Sequence, residues 1–178
     1  MASTLKINNL DTASGTTITI PTGKTLVGTD EGTIRTPGTI LQVVQAQSSS
    51  STSFSSGSYS DLISQAITPK STSSKIKITF NGIYYSNHTG ANTNNRFRVL
   101  RDGSGLSDYN GAQDSGTGQY LQYRQSAVNN FIPVPAGFTW IHSPSTTSST
   151  TFKIQCRADT GQFQFYSGSF LILEEIAQ

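Results

Sequence analysis

Residues 69–80 read PKSTSSKIKITF, and the second half of that stretch decides the fold class. Ile76, Ile78 and Phe80 alternate with Lys75, Lys77 and Thr79, the two-residue period of a strand with one face in a core and the other in water. Before them stands a proline followed by hydroxyl side chains. The same arrangement returns at residues 144–154, PSTTSSTTFKI, with one more residue before the first inward position, Phe152. Proline blocks earlier pairing, Ser and Thr side chains bond to nearby backbone in a turn, and Thr suits the first extended residues. Each segment therefore reads as a lead-in to a strand, and two strands approached in the same way predict related places in a Greek-key sandwich.

Outward from these two segments the same period recurs. Strands are predicted at Thr39 to Gln47, Tyr59 to Ile67, Lys75 to Tyr84, Arg96 to Arg101, Tyr120 to Gln125, Gly137 to His142, Thr151 to Arg157, Gln162 to Tyr166 and Ser169 to Ile176. Phe163 and Phe165 alternate with Gln162 and Gln164. No window combines helical spacing of apolar residues with freedom from Gly and β-branched residues, so helix is expected to be nearly absent. The fold class predicted is all-β, an antiparallel β-sandwich. Residues 48–58, SSSSTSFSSGS, have the composition of a linker but fit equally a long connection across the end of a sandwich. Asp102 to Gln119, rich in Gly, Asp and Asn, reads as the longest loop.

The first forty residues differ. Leu5 and Ile7, then Ile18 and Ile20, form short alternating pieces between turn signals, with almost no aromatics. Such pieces cannot bury a core alone and need partner strands, plausibly from other copies of the chain. This divides the chain into an arm, residues 1–38, and a folded domain, residues 39–178.

Composition narrows the function. Ser and Thr make up 50 of the 178 residues and charged residues 12%, against about 25% in an average domain. The net charge of +2 is scattered in singles, with no basic block to release counterions from phosphate, so no nucleic acid partner is expected. The opening MASTLKINNL shows no leader pattern and the longest aliphatic run, Phe170 to Leu173, falls far short of a bilayer, so no membrane insertion is expected either. The single cysteine, Cys156, shares a face with Phe152 and Ile154 and reads as a small buried hydrophobe.

Catalytic and metal chemistry find little to work with. Pro21 to Thr25, PTGKT, lacks the earlier glycine of a phosphate-binding loop and any following helix, so it reads as a β-turn. Asp102, Asp108 and Asp114 lack the alternate-position oxygens and closing Glu of a calcium loop. His88 and His142 have no zinc spacing and stand in no nucleophile motif. Adjacent Glu174 and Glu175 point to opposite faces of a strand and cannot act as an acid-base pair. Asn87-His88-Thr89 matches a glycosylation acceptor but reads better as a turn. The expectation is a non-enzyme without cofactor or metal. The better candidates are surface residues with an apolar face and a polar tip, Tyr84, Tyr85, Asn87, His88, Tyr109 and Asn110, which suit a sugar or another protein, though most tyrosines could instead pack the sandwich.

Three segments carry a resemblance. LKINNLDTASGTTITIPTG (Leu5 to Gly23), ITPKSTSSKI (Ile67 to Ile76) and SPSTTSSTTF (Ser143 to Phe152) resemble segments that recur in small fibre-like proteins, labelled tail fibre or capsid fibre, of tailed bacteriophages from marine and freshwater hosts, cyanophages included. Lys70 and Phe152 are departures from that pattern. The resemblance implies a virion structural protein, a short fibre or a cement (decoration) protein, forming a homotrimer. Its N-terminal arm, with Leu5, Ile7, Ile18 and Ile20, would attach to other virion proteins of capsid or tail, and its C-terminal knob would be of jelly-roll type. A receptor-binding or carbohydrate-binding knob that adheres to a host surface glycan is the alternative.

Overall fold

The computed structural model describes residues 21–25, 27, 36–55, 57–87, 93–106, 112–114, 118–125, 133–159 and 161–178. The chain divides into two units, Met1–Ile34 and Arg35–Gln178. In the first, the described part is a turn: the Lys24 N–H donates to the Pro21 carbonyl at 3.0 Å, and Gly23 takes φ 78°. That is type II geometry, which demands a positive φ at its third residue. PTGKT is thus a β-turn, as its context predicts, while Leu5, Ile7, Ile18 and Ile20 lie outside the described residues.

The second unit is all-β and antiparallel. Its described strands are β1 (Ile40–Gln47), β2 (Thr52–Ser55), β3 (Ser60–Ile67), β4 (Lys75–Asn87), β5 (Thr93–Arg101), β6 (Ser104–Gly105), β7 (Ala112–Asp114), β8 (Gly118–Gln125), β9 (Pro133–His142), β10 (Thr150–Ala158), β11 (Gln162–Phe165) and β12 (Phe170–Ile176). In sheet A the long β4 is the spine. One of its edges pairs with β9, and the other pairs with β12 and then β11, which lie end to end; β1 and β2 repeat that division outside them. Sheet B runs β3-β10-β5-β8-β7, with β6 pairing beside β8 on β5.

The strand alternation predicted from KIKITF holds: Ile76, Ile78 and Phe80 are buried, and Lys75, Lys77 and Thr79 face outward. The inner faces of the two sheets share one core. Phe97 of sheet B meets Tyr84, Phe163 and Phe165 of sheet A at ring-centroid distances of 5.6 Å each. Such tilted and edge-on contacts suit aromatic quadrupoles. Cys156 is fully buried there, and desolvation pushes its thiol well up, so it packs as a hydrophobe.

Three strands escape the sequence reading. β2 lies inside the hydroxyl-rich residues 48–58, where the single apolar side chain, Phe54, is buried and pairs its backbone with Phe163. β6 and β7 fall in the stretch read as one long loop. β9 begins at Pro133, four residues before the predicted Gly137, because it is an edge strand and needs amide donors on one side only.

Sheet A breaks at one level across its width. Residues 48–51 separate β1 from β2, and residues 166–169 separate β11 from β12; the Ser48 N–H donates to the Ser169 carbonyl at 2.8 Å and the Gly168 N–H to the Ser48 carbonyl at 2.9 Å. On β4 the break meets Gly82, where a Cβ would come within 2.6 Å of Ser169 Oγ and 2.9 Å of the Phe165 ring. Only glycine fits there.

The two hydroxyl-rich lead-ins occupy one pole of the unit and share a turn. The Ser73 N–H donates to Ser71 Oγ at 3.3 Å, and the Ser148 N–H donates to Thr146 Oγ1 at 3.1 Å, the same two-residue reach in both copies. They are tethered by opposite charges. The buried Glu175 carboxylate accepts from the Lys70 N–H at 2.7 Å and from Gln42 Nε2 at 2.6 Å, whereas Arg101 Nη2 donates to the Pro144 carbonyl at 2.8 Å. Burial alone would raise the Glu175 carboxyl. Hydrogen bonds from Ser74, from Gln42 and from the Lys70 and Ser71 N–H groups outweigh it and hold the group below its ordinary 4.5.

Candidate interaction surface

The outer faces of the two sheets offer different chemistry. On sheet B, Lys153 Nζ lies 2.6 Å from Asp61 Oδ2, and Gln155 donates to Asp61 Oδ1 at 2.6 Å while accepting from Arg98 Nη2 at 2.6 Å. Arg96 Nε and Arg157 Nη2 reach Asp159 Oδ1 at 2.6 and 3.2 Å. Arg98 and Arg157 both lie over the Tyr59 ring, their guanidinium carbons 4.0 and 4.9 Å from its centroid. Partial burial would raise the Asp61 carboxyl, but hydrogen bonds from Lys153 and Gln155 and the charges of Lys153 and Arg98 keep it below its ordinary value. These charges satisfy one another within the chain.

On sheet A the outward positions set exposed apolar side chains among polar ones. Ile40, Val43, Ile83 and Ile141 are 52%, 57%, 49% and 50% exposed, and Tyr166 is 40% exposed. Half-buried Phe170, Ile172 and Ile176 continue the surface. Across the sheet the register runs Ile141, Lys77, Glu174, Val43, so one ion pair, Lys77 Nζ to Glu174 Oε2 at 2.6 Å, separates the two aliphatic side chains. Single exposed aliphatic residues are ordinary, but a run of them along one sheet face marks a surface that gains by being covered. Full burial of each is worth about 1.5–3 kcal/mol.

The break in sheet A divides this face in two. Toward the pole of the lead-ins lies an aliphatic zone containing Ile40, Val43, Ile141 and Ile176. Beyond the break lies a second zone, where Tyr85 and Tyr166 rings approach to 5.1 Å and the Tyr85 hydroxyl donates to Gln164 Oε1. A cavity of about 300 Å³ opens there, lined by Asn81, Ile83, Pro135, Tyr166, Phe170 and the backbone of the break.

Of the surface candidates read from the sequence, Tyr85 stands on this face. Tyr84 is a correction: it is 1% exposed and packs in the core, because adjacent residues on a strand point to opposite sides and the Tyr85 side faces out. Asn87 ends β4 opposite Gln162. His88, Tyr109 and Asn110 lie outside the described residues. Tyr166, Ile83 and Ile141 were missed, although the period-two rule that separates Glu174 from Glu175 would have placed Ile83 beside Tyr85 on the outer face.

His142 is buried, with Arg101 Nη1 3.2 Å from its Nε2 and Phe152 against its ring. Asp102 accepts the Thr151 N–H at 2.8 Å, so it ties the turn between β5 and β6 to the start of β10. Among the described residues no group of three or more His, Cys, Asp or Glu side chains could hold a metal ion. A search of protein-family models and of curated proteins finds no match to the chain.

Proposed function

We propose that the chain is a non-enzymatic bacteriophage virion protein, a short trimeric fibre or a cement protein on the particle surface. Residues 1–38 would be its attachment arm and residues 39–178 its jelly-roll knob. The observation that carries the reading is the uneven surface of the knob: sheet B satisfies its own charges, while sheet A leaves Ile40, Val43 and Ile141 in water. A protein that works as one member of an assembly has use for such a face, and in a three-fold ring each copy's face would be covered by a different surface of its neighbour. The segments that resemble phage fibre-like proteins, Leu5 to Gly23, Ile67 to Ile76 and Ser143 to Phe152, support the same reading.

Analytical ultracentrifugation of the full chain tests it. A trimer that persists at micromolar concentration is expected, and a stable monomer there would refute it.

A further inference from the structure

The cavity at the break of sheet A has a chemistry distinct from the aliphatic zone beside it. Its floor and walls combine an aromatic ring, Tyr166, with the apolar surfaces of Ile83, Pro135 and Phe170. Polar groups stand among them: the exposed Asn81 amide and the Ser167 hydroxyl. Asn81 is placed by the fold, since a Cβ on its cross-strand partner Gly137 would come within 2.4 Å of Asn81 Oδ1. The missing side chain at residue 137 is what lets the amide lie across the neighbouring strand. Among the described residues no charged side chain lines the cavity.

From this combination we infer that the break in sheet A forms a binding site for a neutral saccharide. One face of a pyranose ring presents C–H groups that stack on an aromatic side chain, while its rim of hydroxyls both donates and accepts hydrogen bonds. An amide and a hydroxyl serve both directions, as a carboxylate or ammonium does not. The absence of charge disfavours sialic and uronic acids, whose carboxylates would lose water without a cationic partner. The volume is at the small end of ligand pockets and suits one or two sugar rings rather than a long chain. Tyr85, tilted against Tyr166 and tied to Gln164, sets a second aromatic ring beside Tyr166. The inference is independent of the assembly reading, which uses the aliphatic zone on the other side of the break.

Saturation-transfer NMR on the full chain tests it, with glucose, galactose, mannose, N-acetylglucosamine and their short oligomers as probes and N-acetylneuraminic and glucuronic acids as anionic controls. Saturable transfer to at least one neutral sugar is expected. It should weaken about tenfold in Tyr166→Ala and in Asn81→Ala, stay within about threefold in Tyr166→Phe, and be unaffected by Ile141→Lys. Thermal melting of each variant separates loss of the site from loss of the fold. Absence of transfer to every neutral probe, preference for the anionic sugars, or binding indifferent to Tyr166→Ala would each overturn the inference. So would resonances of cavity residues that respond to protein concentration and not to sugar, since they would assign the cavity to contacts between copies.

Discussion

On the outer face of sheet B the described charged side chains pair with one another, whereas on the outer face of sheet A exposed aliphatic side chains stand among polar ones and the Lys77–Glu174 pair. Both faces cover the same core and both are built from strands with the same period. The difference teaches that the alternation which folds the protein uses only the inward half of each strand. The outward half is free to carry paired charges on one sheet and exposed aliphatic side chains on the other.

Five substitutions would break or sharpen that comparison. Glu174 and Glu175 are neighbours on β12, one on the outer face and one inside, so they should respond very differently. Glu175→Gln is expected to cost about 2–3 kcal/mol of unfolding free energy at neutral pH, because the carboxylate that gathers the Lys70 N–H and the Gln42 amide is lost. The folded-state pKa of Glu175 is depressed, so its contribution is complete above the ordinary 4.5 and disappears as the pH falls through the lower folded value. Urea titrations at pH 7 and pH 3 should show the gap between wild type and Glu175→Gln closing in acid. Glu174→Gln, at the surface, should stay within about 0.5 kcal/mol throughout.

Next in size is Gly82→Ala, expected to destabilise by about 1–3 kcal/mol in the same titration, since the added methyl collides with Ser169 and Phe165 at the break. Ile141→Lys should leave stability within about 0.5 kcal/mol but weaken self-association at least tenfold, about 1.4 kcal/mol, as read by sedimentation. Smallest is Lys153→Met on sheet B. Its pair with Asp61 is largely exposed, so the loss should be below about 1 kcal/mol, shrink further in salt, and leave sedimentation unchanged. If Lys153→Met disrupted association and Ile141→Lys did not, the roles assigned to the two faces would be reversed.

Much of this fold was legible in the sequence because period two is unmistakable in KIKITF, QFQF and TFKIQC. β2 was hidden, since Thr52–Ser55 offers one apolar residue, Phe54, among hydroxyls, and only its pairing with β11 makes it a strand. The start of β9 was hidden by Pro133 and Pro135, whose tolerance depends on the strand lying at an edge, a property of topology and not of local sequence. The candidate surface was half legible. Tyr85 could be singled out as an aromatic near polar residues, but its companions Pro135, on β9, and Tyr166 and Phe170, around the β11–β12 connection, come from two other places in the chain and meet only at the break in sheet A. The repeated lead-ins were legible as turns, yet their tethers, Glu175 and Arg101, lie more than forty residues away from them and carry opposite charge.

The folded unit begins and ends side by side: the Gly38 N–H donates to the Ala177 carbonyl, and the Ala177 N–H to the Thr39 carbonyl, both at 2.9 Å. Its termini are therefore already joined in space, and the unit is a natural subject for circular permutation. A few flexible residues from Gln178 to Thr36 would close the ring, and new ends could be opened within Ser48 to Ser51, where sheet A is interrupted anyway. Such a permutant would carry a label or a fused partner at mid-height of the sheet instead of at the pole where both natural ends emerge.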